Sequence, residues 1–349
     1  MRSPPLLALA LATSFGLTAC GVDPASTTAA DAGAVAAPAA ETGAFPATIE
    51  HKFGSTEVTS APKRVVTVGL TEQDALLALG VVPVGVTRWF GEAEGAIFPW
   101  ATDALAAAGG ELPEVLDSTN GIEVEKVAAL DPDLIIAINS GMTEQEYALL
   151  SKVAPTVASA DEVDYTSSWQ DITELVGTAV GKPAEAEQLI DDVEGQLEAA
   201  AAEHPEFEDA QAAVVTPYEG LFVYGEEDSR GQMLDELGFE FPGALVDPET
   251  DAFGWSLSAE RTSDLADLDA VVWLDYEAAD AGMKKLFEST PAHRQGRWFD
   301  ISDANGGAYY VAQSMVTPLS IPYVLERYVP QLAAAVDGDP KTEVQVVKD

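Results

Sequence analysis

The sequence predicts an α/β protein made of two similar α/β lobes with central, mostly parallel sheets, joined by one long helix. Three observations predict it. The first is a helical run from Pro183 to Glu203, in which Ala184, Ala186, Leu189, Ile190, Val193, Leu197 and Ala200 recur at three- and four-residue spacing. The second is that apolar runs of strand length alternate with helix signals on both sides of it, the grammar of parallel α/β structure. The third is a weak internal echo. Glu125 to Ile136 and Glu260 to Val272 each read as a glutamate opening a short helix, then Leu, Asp and a buried strand.

The long helix starts well, because Pro183 suits a first turn whose N–H needs no partner. His204-Pro205 stops it, since the residue before a proline is pushed out of helical geometry. At about 1.5 Å per residue the run makes a rod of about 30 Å, close to the width of a small domain. A second, shorter helical run precedes it from Trp169. In the first lobe Arg64 to Val68 reads as a strand, and Thr71-Glu72-Gln73-Asp74 as a capping box for a helix ending at Gly80. Val81 to Val86 is a second strand, Ile122 to Leu130 a helix and Leu134 to Ile138 a buried strand. Thr143-Glu144-Gln145-Glu146 is a second capping box. The second lobe repeats the pattern. Ala212 to Thr216 and Leu221 to Tyr224 are strands, Ser229 to Gln232 caps a helix ending at Gly238, and Ala270 to Leu274 is a buried strand. Arg297 to Ile301 is a last strand and Pro318 to Val336 a terminal helix.

Composition bounds the function. The chain has 349 residues, with 59 Asp and Glu against 17 Lys and Arg, for a net charge of −42. That balance argues against nucleic acid, whose affinity comes from Lys and Arg at phosphates. It equally disfavours unaided adsorption to anionic lipid. Acidic surfaces keep proteins soluble and fit a surrounding rich in salt or high in pH. The one cysteine, Cys20, ends an apolar run from Leu6 to Leu17 behind a basic Met1-Arg2 start. The run has signal-peptide length and is too short to span a bilayer comfortably. Leu17-Thr18-Ala19-Cys20 then resembles the bacterial lipoprotein box, which implies an acyl (palmitate) anchor on Cys20 at the extracytoplasmic face of the cell membrane. The expected organisation is a signal peptide over 1–19 and a lipidated cysteine with an Ala-, Thr-, Asp- and Pro-rich tether over 20–46. An N-terminal lobe follows over 47–165, connecting helices over 166–205, a C-terminal lobe over 206–337, and a polar, frayed tail over 338–349.

Pro62 to Val66, Asp74 to Gly80, Pro83 to Val86, Glu125 to Ile136, Ala154 to Val157 and the region from Tyr224 to Gly238 together resemble a known family. It is the substrate-binding lipoproteins of bacterial ABC importers for ferric siderophores, the helical-backbone class (class III periplasmic-binding-protein-like). The nearest branch is the ferric-hydroxamate-type binders, and the likeness covers about residue 48 to 336. It implies a shallow cleft between lobes, limited closure, no cofactor, and a ligand whose iron is held by the siderophore. It also implies docking on basic pockets of an ABC permease through one glutamate per lobe, at the positions of Glu125 and Glu260. A charge on each lobe gives register and a fast encounter with a basic partner. A monomer is expected, delivering iron without catalysis.

A ferric siderophore needs an open pocket with aromatic walls and a few donors. Arginine can donate to iron-bound oxygens. In a chain this poor in arginine, Arg88-Trp89-Phe90 after the second strand and Arg230 after Tyr224-Gly225 stand out. Trp169 and Tyr218 are placed at lobe-facing ends. The resemblance adds Trp255, Tyr309 and Tyr310 as cleft aromatics. It also puts two metal-gripping residues of the hydroxamate binders, an arginine and a tyrosine, at about Asn120 and Met142. Neutral Asn120 cannot grip as arginine does; Met142, a weak acceptor, is retained only as a lining residue. Trp273, inside a buried strand, is expected in the core. His51, His204 and His293 have no triad-like or zinc-like spacing, and no phosphate loop is present. An envelope enzyme therefore has no constellation to rest on. A cobalamin or haem binder stays open, because it too needs aromatic walls.

Overall fold

Helix α6 (Pro183–Glu203) runs between two half-molecules and belongs to both of their cores. The computed structural model describes residues 39–88, 91–119, 121–246, 252–302 and 307–347, all within one compact unit. The signal-peptide and tether expectations up to residue 38, and those for Cys20, Trp89, Phe90 and Asn120, lie outside the described residues.

The chain enters through a hairpin, β1 (Ala47–His51) and β2 (Gly54–Val58), which the sequence reading did not anticipate. The first half then takes the order β3 (Val65–Thr67), α1 (Glu72–Ala78), β4 (Gly85–Thr87), α2 (Thr102–Ala107), β5 (Glu114–Leu116), α3 (Val124–Ala129), β6 (Leu134–Ala137), α4 (Glu144–Leu150) and β7 (Thr156–Ala158). Its sheet is parallel throughout, in the order β5-β4-β3-β6-β7. Val65, Leu134 and Ile136 point to one face and Val66 and Ile135 to the other, each side covered by apolar helix faces. The second half runs β8 (Ala212–Thr216), β9 (Leu221–Tyr224), α7 (Ser229–Glu236), β10 (Gly254–Leu257), β11 (Ala270–Leu274), α8 (Ala281–Glu288), α9 (Pro291–Arg294), β12 (Trp298–Ile301), α10 (Ala308–Met315) and α11 (Ser320–Val336). A 3-10 helix over Ala259–Asp267 precedes β11. The sheet order is β10-β9-β8-β11-β12, with β9 alone reversed.

Between the halves, α5 (Trp169–Val180) opens on Ser168, whose Oγ accepts from Asp171 N, and ends at Gly181 in left-handed geometry. It lays Ile172, Val176, Ala179 and Val180 on the first core. Helix α6 puts Ala186 into the first core and Val193 and Leu197 into the second, while Leu189 touches both. Trp169 at the head of α5 already sits in the second core.

Four local expectations are corrected. Thr71 makes no side-chain cap: its Oγ1 accepts from Asn139 Nδ2, Asp74 N donates to Thr71 O instead, and Thr71 N donates to Glu72 Oε2. The box at Thr143 does form, with Glu146 reaching back to Thr143 N. The cap of α7 is Asp228, whose Oδ1 accepts from Arg230 N, so Ser229 is the first helical residue. The tail folds back: Gln331 Nε2 donates to Gln345 O at 2.7 Å, and Val344 and Val347 pack on the second core. The run from Val81 to Val86 is strand only at its end, from Gly85.

Candidate functional site

Alternation along β9 sets the main feature of the second half. Leu221 and Val223 are buried, so Phe222 and Tyr224 share the other face. Gly254 pairs with Tyr224 across the strands, and a Cβ there would overlap the Phe222 ring, so only glycine lets that ring lie down. Phe222 then meets Tyr224 at 5.1 Å between centroids, Tyr218 at 6.2 Å and Phe253 at 6.0 Å. Phe253 meets Tyr165 edge-on at 5.9 Å. Tyr165 comes from the segment between β7 and α5, so the ribbon of five rings reaches from one half to the other. Its hydroxyl fills the space where a Cβ on Gly141, in the β6–α4 loop, would stand. Tyr165 holds φ +67, an unfavourable backbone for a bulky residue and one that concentrates at functional positions. Tyr218 is 61% exposed and Tyr165 39%, so the ribbon offers ring faces to a ligand.

Arg230 closes one end. Its guanidinium lies 4.0 Å from the Tyr224 ring and donates to both Asp228 oxygens at 2.8 and 2.9 Å. Both side chains are buried. Desolvation raises the Tyr224 phenol above its usual value, and Arg230 opposes that rise.

In the first half, Arg88 follows β4, with its N–H on Leu116 O and Nη1 on Gly91 O at 2.9 Å. Glu92 stands 3.6 Å away. Below the strand ends Glu72 is fully buried and accepts from Asn139 N and Thr71 N, with desolvation raising its pKa. Asp74 joins the halves: its Oδ2 accepts from Trp100 Nε1 at 2.7 Å and from Thr317 Oγ1 at 2.6 Å, and burial pushes it up to about 6. Beside it Phe98 packs with Val311 and Met315 of α10.

The structure brings together Tyr218, Tyr224 and Arg230 among the residues expected to bind ligand. Arg88 sits apart at the end of β4. Met142, Trp169 and Tyr309 are 2–5% exposed and lie inside cores. Trp169 Nε1 donates to Glu236 at 3.3 Å, and the Tyr309 hydroxyl to Gln331 Oε1 at 2.8 Å. Trp255 faces the other way from Phe222, because it pairs with Val223, and its Nε1 donates to Leu245 O. Tyr310 is half-buried against α10 neighbours. Trp273 is in the core as expected. Phe222, Phe253 and Tyr165 complete the ribbon without having been singled out. Phe222 was findable from its two-residue spacing to Tyr224; the other two carry no local signal. Glu125 on α3 and Glu260 in the 3-10 helix are both exposed, and each leads into the strand beside its half's first strand. Among the described residues no three His, Cys, Asp or Glu side chains converge as metal ligands, and no helix is long and apolar enough to cross a membrane.

Comparison with known proteins fits this architecture. The fold is similar to that of a periplasmic solute binding protein of Mycobacterium smegmatis, with TM-score 0.70 and 33% identity, covering 83% of this chain and 98% of that one. It is similar to PiaA of Streptococcus pneumoniae in complex with ferrichrome, with TM-score 0.72 and 26% identity over 84% and 99% of the two chains. In sequence it is 28% identical over 240 residues to the probable siderophore-binding lipoprotein YfiY of Bacillus subtilis, covering 67% of this chain and 70% of that protein. The model of one family, described as periplasmic binding protein, matches residues 65–304, and the chain belongs to that family.

Proposed function

We propose that this protein captures a ferric siderophore outside the cytoplasm and delivers it to an ABC-type permease for iron uptake, with no chemistry done on the ligand. The observation that carries this is the ribbon of five rings ending on a buried arginine and shared by both halves. A bulky chelate with an organic shell is held by ring faces and a few donors. Helix α6, embedded in both cores, restrains the halves from swinging widely, as a shallow open site requires. YfiY, FecB of Escherichia coli, named as an Fe(3+) dicitrate-binding periplasmic protein, and PiaA with ferrichrome support the ligand class. Lipidation of Cys20 is the anchor in this reading, and Glu125 and Glu260 are the two points of contact with the permease.

The test is intrinsic fluorescence quenching of the purified protein by ferric hydroxamates, ferric catecholates, haem and cobalamin. Saturable quenching by a ferric chelate is expected, weakened about fivefold or more in Phe222→Ala and Tyr224→Ala, since each lost stacking contact is worth on the order of 1 kcal/mol or more. Quenching by haem or cobalamin alone would refute the ligand class. Charge reversal at Glu125 and Glu260 together should leave ligand affinity intact and abolish uptake; normal uptake would remove the docking role.

A further inference from the structure

Tyr165 carries the ribbon across from the first half on a left-handed backbone, a geometry that persists only where its surroundings hold it. Its segment, residues 159–167, is a loop closed at the neck. Ser159 Oγ and Ser167 Oγ lie 3.1 Å apart, Asp161 N donates to Ser159 Oγ at 3.0 Å, and Ser167 Oγ donates to the Asp161 carboxylate. Compact loops of this kind often carry function. The tip is held from outside. Gln232 Nε2 on α7 donates to Thr166 O at 3.3 Å, and Lys52, in the turn of hairpin β1–β2, is ion-paired with Asp164. Lys52 N also donates to Ser159 O at 2.9 Å, so the turn grips the loop at its neck and again beside its tyrosine.

The turn is itself braced. Thr56 Oγ1 spends its proton on Thr156 O at 2.6 Å, so it accepts from His51 Nε2 at 3.0 Å, and Phe53 N donates to His51 Nδ1 at 3.3 Å. Those two contacts require a neutral ring, and burial favours it by lowering the His51 pKa. Phe53 stacks on Tyr147 at 5.1 Å, and Lys52 Nζ lies 5.4 Å from the Phe53 ring. The Lys52 side chain is 10% exposed and that of Asp164 43%. A cation buried that far needs its partner, whereas the carboxylate can turn to water. The pair therefore draws the loop onto the hairpin.

Resting on the ferric-chelate reading above, we infer that Lys52 is a positioning residue of the ligand site: from the turn of the hairpin it holds loop 159–167 in the shape that presents the Tyr165 ring beside Phe253. Its contribution passes through Tyr165, so it is worth no more to binding than that ring is.

Lys52→Met keeps an apolar stem against Phe53, removes the charge and leaves the half-exposed Asp164 to water, so it spares the fold. Two measurements on the full chain test the proposal. Without ligand, amide hydrogen exchange over residues 159–167 should speed up about threefold or more in Lys52→Met, while β9 keeps its native rates. With ferrichrome as the probe, Tyr165→Ala should weaken binding about fivefold, the value of a lost ring contact, and Lys52→Met by no more than that. The double variant Lys52→Met with Tyr165→Ala should bind as Tyr165→Ala alone does. On a Phe222→Ala background Lys52→Met should show its full loss again. A Lys52→Met loss that persists beside Tyr165→Ala would place Lys52 on the ligand itself and overturn the positioning role. So would unchanged exchange over 159–167, or unchanged affinity, in Lys52→Met. A native chain that binds neither ferrichrome nor the other ferric chelates of the panel would instead remove the ferric-chelate reading, and the exchange rates would still decide whether Lys52 holds the loop.

Discussion

In the first half a helix, α1, separates the two central strands β3 and β4; in the second, the turn at Tyr218 to Gly220 does so, and β9 runs back antiparallel to β8. The strand order is nevertheless the same. Numbered from its own first strand, each sheet reads 3-2-1-4-5. The difference lies in what covers the sheet. A parallel crossover needs a helix, which then lies on the sheet. In the first half that helix buries Glu72, Gln73 and Asp74 along with its apolar residues. A hairpin needs no helix, so part of one face of β9 stays open, and Phe222 and Tyr224 are found there. The half that saves a helix carries the aromatic wall; the half that keeps it carries buried carboxylates, one of which ties the halves together.

The sharpest way to break the comparison is through the element the halves share. Leu197 is buried in the second core, at the opposite end of α6 from Ala186 in the first. Leu197→Ala should cost roughly 2–5 kcal/mol, the range for emptying a buried leucine site. Because α6 serves both cores, urea unfolding should remain one transition, displaced to lower denaturant. Two separated transitions would mean that the halves unfold independently and that α6 couples nothing.

A second, smaller effect sets Asp74 against the rest of the chain. Burial raises its pKa from 3.8 to about 6, so the native state holds this proton more tightly than the unfolded chain does. The stability this gives is full below pH 3.8 and is lost as pH rises through about 6. Two units correspond to at most about 3 kcal/mol. Asp74→Asn cannot ionise, so its stability relative to wild type should improve by up to that amount between about pH 4 and pH 7, following the linkage between pKa and stability. Thermal melts of both proteins across this range decide it. A constant difference between them would show that the carboxylate joining Trp100 to Thr317 does not titrate with folding.

Much of this architecture was visible in the residues, and the reasons are local. Helix α6 begins at Pro183 and ends before His204-Pro205, two signals that act within a turn. Strands β8, β9 and β11 have the bounds read from their apolar runs. What was hidden depends on register or on distant chain. Hairpin β1–β2 is built from mixed segments, ATIEH and GSTEV, that carry little apolar signal. Which face Trp255 takes is decided by its pairing with Val223, which no single strand reveals. Tyr165 and Phe253 meet from segments far apart in the chain, and the Thr71 hydroxyl is taken up by the Asn139 amide 68 residues further on, which no local spacing reveals. The tyrosines at 309 and 310 look alike in the sequence, yet one buries its ring and hydroxyl on α11 and the other stays half-covered.

The smallest expected effects also separate the halves, at their helix caps. Thr143 in the first half and Ser229 in the second both looked like N-caps. Thr143 Oγ1 accepts from Glu146 N at 3.3 Å, and Glu146 Oε2 accepts from Thr143 N at 2.9 Å, so the reciprocal pair is complete. At α7 the Asp228 carboxylate does that work, and Ser229 is already helical. Thr143→Ala should therefore cost about 1 kcal/mol, the usual value of a lost cap. Ser229→Ala should stay within about 0.5 kcal/mol of wild type, because it removes no cap and alanine is the better helix former. Urea midpoints of the two variants make the comparison directly. Equal losses would mean that Asp228 is committed to Arg230 alone and that Ser229 caps the helix after all, which would weaken the case for a carboxylate held in place to match the arginine at the end of the aromatic wall.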